Sequence, residues 1–385
     1  MATTTTTATV PATASIHFKP SADSSLPTPP LTRPPSPSPS PAQPRRRERY
    51  AAPATSHLSA YPSHRYIPAL GLIFEQGIQV REFLNLPDED PVKEELFEEL
   101  AYAISLHGVC ILPAQDLTPD ELGELALRLG RASGAPEDSS LHIHPTAELG
   151  ENGRPTVGTI SNMAGKDGRR ITFKDDRSDF ASMGLHSDIS FERRPARYSM
   201  LRMHTIPPLG GNTTFNSAYA HYDMLSEPMK EFLSKLRAVH SGSMFRQQAQ
   251  LHGFQLHMGP RGAPENVGDE FEASHPIIRT NAVTGFNELF VNQTFTERIE
   301  GLSFDESRAI LDYLFRLQAQ AHDAMLSYRW NVNDLAIWDN SAVCHAATFD
   351  YTALRAGDRT VCVGEAPFFD SEGGRSRKAT IGSPI

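Results

Sequence analysis

The stretch Gly184-Leu185-His186-Ser187-Asp188-Ile189-Ser190-Phe191 decides how this chain is read. Placed on a strand, its side chains alternate between faces, so His186 and Asp188 point to one side. An imidazole beside a carboxylate supplies two donors of the 2-His-1-carboxylate set that holds Fe(II) with one face of the ion open. The third donor has to come from far along the chain. His345 is the best candidate, closing Trp338-Asp339-Asn340-Ser341-Ala342-Val343-Cys344-His345 after an apolar run. A chain with 15 histidines can contain His-x-Asp by chance, so the reading rests on what surrounds it.

Working outward, Tyr198–Thr205 alternates as a strand and ends at Pro207-Pro208-Leu209-Gly210-Gly211-Asn212-Thr213-Thr214-Phe215. The glycines permit a tight turn into a further strand. This is no phosphate loop, because the Walker lysine is missing. Upstream, Leu141-His142-Ile143-His144-Pro145 would place both histidines on one face if extended, either as a satisfied pair or with one beside a substrate. The polar, glycine-bearing connection 146–182 reads as a lid or a disordered excursion.

Helix signals flank these strands. Asp90-Pro91 opens a helix with Val92, Leu96, Leu100 and Ile104 at helical spacing, and Gly108 ends it before a short buried strand, Val109–Leu112. Thr118-Pro119-Asp120-Glu121 and Ser303-Phe304-Asp305-Glu306 are capping boxes. Leu225–Val239 reads as an amphipathic helix starting at Ser226, Leu326–Trp330 and Leu335–Trp338 as a hairpin, and Arg359–Gly364 as the last strand. Helices around many short strands predict an α+β, mainly β fold with a double-stranded β-helix (jelly-roll) core.

The first fifty residues hold 11 Pro among Thr, Ser and Ala, with no periodic apolar face. Such a segment cannot bury enough surface to offset its ordering entropy. A disordered tail is therefore expected over residues 1–60, and a single catalytic domain over 66–385, starting near Tyr66. The tail resembles a transit peptide only loosely, because its basic residues cluster late, at Arg45-Arg46-Arg47. No run approaches the about 18 apolar residues of a membrane span. Cys110, Cys344 and Cys362 offer no disulfide framework, which fits a reducing compartment. A cytoplasmic location is expected, a mitochondrial one being second. The first fifty residues carry a net +4, which leaves −14 on the remainder of a chain of net −10. An acidic folded part argues against a nucleic-acid partner.

A 2-oxo acid chelating such an iron presents a far carboxylate that needs a fixed cation, and arginine supplies a bidentate fork that lysine cannot. Arg355 and Arg359 follow His345 closely enough for either to serve. With these residues in place, the chain resembles the taurine (sulfonate) dioxygenase family of Fe(II)/2-oxoglutarate oxygenases over roughly residues 78–369. The resemblance rests on Leu141–Pro145, His186-Ser187-Asp188, Gly210-Gly211-Asn212-Thr213, Leu289-Phe290-Val291-Asn292, Ala336-Ile337-Trp338-Asp339-Asn340, His345 and the Arg355/Arg359 pair.

The resemblance implies that His186, Asp188 and His345 bind Fe(II). It implies that Thr213 and Arg355 anchor the distal carboxylate of 2-oxoglutarate, and that His144 and Arg359 hold the anionic head of a small-molecule substrate. It further implies O2 as cosubstrate, decarboxylation of 2-oxoglutarate to succinate and CO2 with hydroxylation of the substrate, and a homo-oligomer. Hydroxylation beside a sulfonate would release an aldehyde and sulfite. The sequence departs from the bacterial taurine enzymes at Ala147, Ser182 and Leu185, where they carry an aromatic hydroxyl, an amide and Trp. A sulfonate is therefore the first expectation, with a carboxylate, sulfate ester or secondary metabolite as alternative. A zinc hydrolase would leave Thr213, Arg355 and Arg359 without a purpose. A silent binding module would be expected to have lost a metal ligand, and the sequence keeps all three.

Overall fold

The computed structural model describes residues 50–75, 77–146, 157–161, 181–348 and 350–381, all within one compact unit, residues 45–385. The tail through residue 49 and most of the 146–182 connection lie outside the described residues.

A seven-stranded sheet runs in the order β1 (Ser63–Ile67), β2 (Leu70–Phe74), β3 (Val109–Leu112), β13 (Leu335–Asp339), β5 (Ala196–Thr205), β15 (Ala356–Val363) and β4 (Gly158–Ser161). Only β2 and β3 pair in parallel; the other neighbours are antiparallel. A second sheet sets β6 (Thr213–Ser217) between β12 (Met325–Tyr328) and β14 (Val343–Ala347). Two smaller ones follow. One sets β7 (Arg237–Ser241) between β11 (Thr296–Ile299) and β8 (Glu272–Pro276), and the other pairs β9 (Ile278–Thr280) with β10 (Asn287–Leu289).

The period-two alternation of the central strands fixes which layer meets which. Cys110, Leu112, Tyr198, Met200, Leu335 and Ile337 face a core shared with helices α1 (Val80–Leu84), α2 (Pro91–His107) and α3 (Pro119–Ala132). Their neighbours Val109, Ile111, Leu201, Met203, Ala336 and Trp338 face the other way, onto Phe215, Leu326 and Val343 of the three-stranded sheet. The large sheet thus has helices on one face and a sheet on the other. Trp338, fully buried between the sheets, would cost about 3–5 kcal/mol if cut back to Ala.

Local signals set the helix ends as expected. The Asp90 carboxylate accepts from the Val92 N–H at 3.0 Å, and Gly108, at φ +75°, closes α2. Both capping boxes form, at the starts of α3 and of the helix Phe304–Gln320.

Four expectations are corrected. The chain is ordered before residue 60: His57–Ala60 forms a 3-10 turn, and the N–H groups of His57 and Leu58 both donate to the Glu99 carboxylate at 2.8 Å. Leu58 and Tyr61 pack on the helix-side core, so the domain starts before Tyr66. The predicted Leu225–Val239 helix stops at Leu233, because Arg237–Ser241 finds strand partners on both sides and pairing overrides helical periodicity. Leu326–Trp330 and Leu335–Trp338 are no hairpin: β12 joins the small sheet and β13 the large one, with the turn at Asn331–Asp334 carrying the chain across. His186–Asp188 is no strand either, as described next.

Candidate active site

β14 delivers His345, whose N–H and C=O pair with the C=O and N–H of His186 at 2.8 and 3.0 Å. That single bridge replaces the predicted strand; from Asp188 onward the chain turns. Ile189 adopts φ +48°, a strained conformation for a β-branched residue. The two histidines are therefore cross-strand neighbours, with ring centroids 4.3 Å apart, and the turn brings the carboxylate back between them.

One donor atom from each of His186, Asp188 and His345 lies within 4.8 Å of the others. Asp188 Oδ1 is 3.3 Å from His186 Nε2 and 3.8 Å from His345 Nε2. His186 Nδ1 donates to the Gly184 carbonyl at 2.8 Å, which turns Nε2 toward Asp188 and makes it the atom that could coordinate. His345 is held by packing, against Trp338 at 4.7 Å and Phe215 at 6.2 Å. Burial pushes its imidazole down to about 3, so it stays neutral and able to coordinate. For Asp188, burial alone would raise the carboxyl, but the Arg359 guanidinium and both imidazoles hold it well below the usual carboxylate range. Two imidazoles and one carboxylate suit Fe(II), with open positions left for small-molecule ligands.

Arg355 and Arg359, to which the resemblance gives different roles, stand in different surroundings. Arg359 reaches Asp188 Oδ1 at 2.5 Å and so faces the metal pocket. Arg355 is buried beside β6, where Nε donates to the Gly211 carbonyl at 2.9 Å and Nη2 to Thr213 Oγ1 at 3.1 Å. Gly211 has to be glycine: at φ +71°, an added Cβ would come within 2.8 Å of Pro207 and 3.2 Å of Arg355. Trp330 Nε1 also donates to Thr213 Oγ1, at 3.0 Å. With both lone pairs of that oxygen taken, the Thr213 hydroxyl proton points toward a third partner.

His144 and His142 separate as well. His142 is buried against Glu192, whose carboxylate forms a bidentate pair with Arg261, so it is the satisfied member. His144 packs on Phe245 at 5.0 Å, and Nδ1 meets Thr146 Oγ1 at 2.8 Å. Burial, with His142 and Arg359 nearby, pushes it down to about 3, so it presents a neutral ring. Phe245, Phe191 and Phe295 then form a row from His144 to His186, the first pair tilted at 5.2 Å and the second edge to face at 5.1 Å.

Residues that the sequence reading passed over support the carboxylate. Ser199 Oγ donates to Asp188 Oδ2 at 2.5 Å, and Asn340 Oδ1 accepts from the Asp188 N–H at 3.1 Å. Asn340 stood inside a motif already singled out. Ser199 had no local signal, being one small residue in an alternating strand.

This fold and donor set define a class, the Fe(II)- and 2-oxoglutarate-dependent dioxygenases, which use O2 as cosubstrate. The chain belongs to the taurine catabolism dioxygenase TauD, TfdA family, whose model matches residues 63–363. It is 33% identical over 361 residues to the alpha-ketoglutarate-dependent dioxygenase esdpJ of Penicillium shearii, covering 84% of this chain and 94% of that one. It is 30% identical to the alpha-ketoglutarate-dependent sulfonate dioxygenase of Saccharomyces cerevisiae over 284 residues, 74% of this chain and 62% of that one. A crystal structure of a taurine dioxygenase from Burkholderia xenovorans aligns with a TM-score of 0.59 at 22% identity, covering 80% and 90% of the two chains, and shows the fold alone.

Proposed function

We propose that this enzyme hydroxylates a small anionic molecule, a sulfonate in the first instance. His186, Asp188 and His345 hold Fe(II), Thr213 and Arg355 take the distal carboxylate of 2-oxoglutarate, and Arg359 with His144 receives the head group of the substrate. Arg359 carries this reading: among the described residues it is a cation that reaches Asp188 in the metal pocket, whereas Arg355 bonds to Gly211 and Thr213. Iron bound with 2-oxoglutarate and O2 supplies an oxidant able to hydroxylate an unactivated C–H, with succinate and CO2 as coproducts. The chain's own groups do the rest. The Thr213 hydroxyl donates to a carboxylate oxygen and the Arg355 fork neutralises it, while the neutral His144 donates or accepts without adding charge.

The Phe245–Phe191–Phe295 row favours a second reading on the substrate side, an anion whose remaining part is apolar or aromatic. The S. cerevisiae relative, named a sulfonate dioxygenase, and the taurine family match support a sulfonate head. A panel of amino-, alkyl- and arylsulfonates, sulfate esters and carboxylates, scored by substrate-stimulated succinate formation, tests both. Stimulation by anions with apolar tails is expected. Stimulation by neutral analogues alone would contradict the assignment of Arg359.

The alternating faces of β5 and β13, packed on β6, β12 and β14, support a double-stranded β-helix as the finer description of the core. We infer that the catalytic domain is a single one; its cytoplasmic location and homo-oligomeric state are proposals of the same kind. Among the described residues, no helix is long and apolar enough to cross a membrane.

A further inference from the structure

We propose that Ser199 and Asn340 are positioning residues that commit Asp188 to coordinate through Oδ1 alone. The inference rests on the reading of Asp188 as a metal ligand. Oδ1 is on the metal side: it faces both Nε2 atoms and also takes the Arg359 guanidinium at 2.5 Å. Oδ2 is engaged elsewhere, accepting from Ser199 Oγ at 2.5 Å. A serine hydroxyl has one proton and two lone pairs, and its orientation is normally free to change. Here it is fixed: Asn340 Nδ2 donates to Ser199 Oγ at 2.8 Å, so the hydroxyl proton is directed at Asp188.

The amide of Asn340 is fixed in turn. Its Oδ1 accepts from the Asp188 N–H at 3.1 Å and from Trp338 Nε1 at 3.2 Å. Flipping the amide would set its NH2 group against two N–H donors, so only one orientation satisfies all partners. The Asn340 carbonyl also accepts from Ser187 Oγ. Asn340 therefore clamps residues 187 and 188 directly at two points and, through Ser199, reaches the Asp188 carboxylate at a third, all of them buried. Asn340 is itself seated by the preceding Asp339, whose carboxylate accepts from Ser105, Asn281 and Ser341.

The consequence is chemical. A carboxylate free to rotate can chelate through both oxygens and occupy one of the three positions that a cosubstrate and O2 require. Holding Oδ2 in a charge-assisted hydrogen bond keeps the ligand monodentate and those positions open. Groups of this kind behind a metal ligand typically change metal affinity by about 10–100-fold when removed.

Anaerobic titration with Co(II), followed by its visible d–d spectrum, tests the proposal without turnover. Ser199→Ala is expected to weaken Co(II) about 10–100-fold and to alter the spectrum, while the metal-free protein keeps its far-UV circular dichroism. Ser199→Thr, which restores the hydroxyl, should recover affinity and spectrum. Should Ser199→Ala not fold, Ser199→Cys keeps the volume with a weaker donor and is read in the same way. Wild-type affinity and spectrum in the folded Ser199→Ala protein would overturn the proposal, as would a loss of thermal stability alone. Asp188→Ala separates the two levels. If it binds Co(II) like wild type, the ligand assignment fails; if it loses the metal and Ser199→Ala does not, only the positioning role fails.

Discussion

Asp188 and His144 belong to one site but are held in different ways. Asp188 has its backbone N–H and one carboxylate oxygen bonded to groups on β5 and the turn after β13, two central strands of the large sheet. His144 lies on an irregular segment that touches that sheet through one bridge, Leu141 to Cys362, and its Nδ1 is bonded two residues along, to Thr146. The other face of its ring rests on Phe245, from the helix Ser243–His252. The metal end is wired into the scaffold, whereas the end that would choose the substrate sits on connecting chain. Chemistry common to many substrates needs the first, and selectivity can vary through the second at little cost in stability.

The largest expected effect strikes the wired end. His345→Ala removes one of three donors from a buried set and should abolish the charge-transfer band of anaerobic Fe(II) with 2-oxoglutarate. A retained band would show that the metal sits elsewhere. His144→Ala should leave that band intact and change only its response to substrate, which sharpens the contrast between the two ends.

A smaller effect tests the ordered N-terminal strap. Deleting residues 1–49 should leave thermal stability unchanged. Deleting through residue 61 removes Leu58 and Tyr61 from the core and two donors from Glu99. That should cost about 2–4 kcal/mol, read as a lowered midpoint in urea. Equal stability of the two truncated proteins would put the domain boundary back near Tyr66.

The smallest expected effect concerns a buried ion group behind the site. Glu288 is fully buried beside Arg279, 3.5 Å away, and burial pushes its carboxyl up to about 8. Because the folded value lies above the roughly 4.3 of an exposed glutamate, the protonated group stabilises the fold fully below that lower value. The contribution is lost as pH rises through about 8. Wild type should therefore lose a few degrees of melting temperature between pH 6 and 9 relative to Glu288→Gln. Parallel pH profiles for the two proteins would contradict this account of Glu288.

The contrast between the two ends also explains what was legible in the sequence. Helix starts at Asp90, Thr118 and Ser303 were readable because each cap is written within four residues of itself. The three candidate metal donors were readable from residue types, and the resemblance already set Arg355 beside Thr213; the fold adds the 3.1 Å bond between them. Ser199 and Asn340 were not readable as partners of Asp188, since they lie 11 and 152 residues away and nothing local marks them. The strand at Arg237–Ser241 was missed for a related reason: its partners are more than 30 residues distant, and its apolar spacing also fits a helix.

The central claim is that the two arginines serve different ligands, and paired titrations of the Fe(II) charge-transfer band test it most directly. Charge-assisted bonds of about 1.5–3 kcal/mol predict that Arg355→Ala weakens 2-oxoglutarate by roughly one to two orders of magnitude. Arg359→Ala should spare 2-oxoglutarate, weaken the anionic substrate by a comparable factor and raise the uncoupled fraction of turnover. If Arg359→Ala loses 2-oxoglutarate while Arg355→Ala keeps it, the assignment of both ends is contradicted.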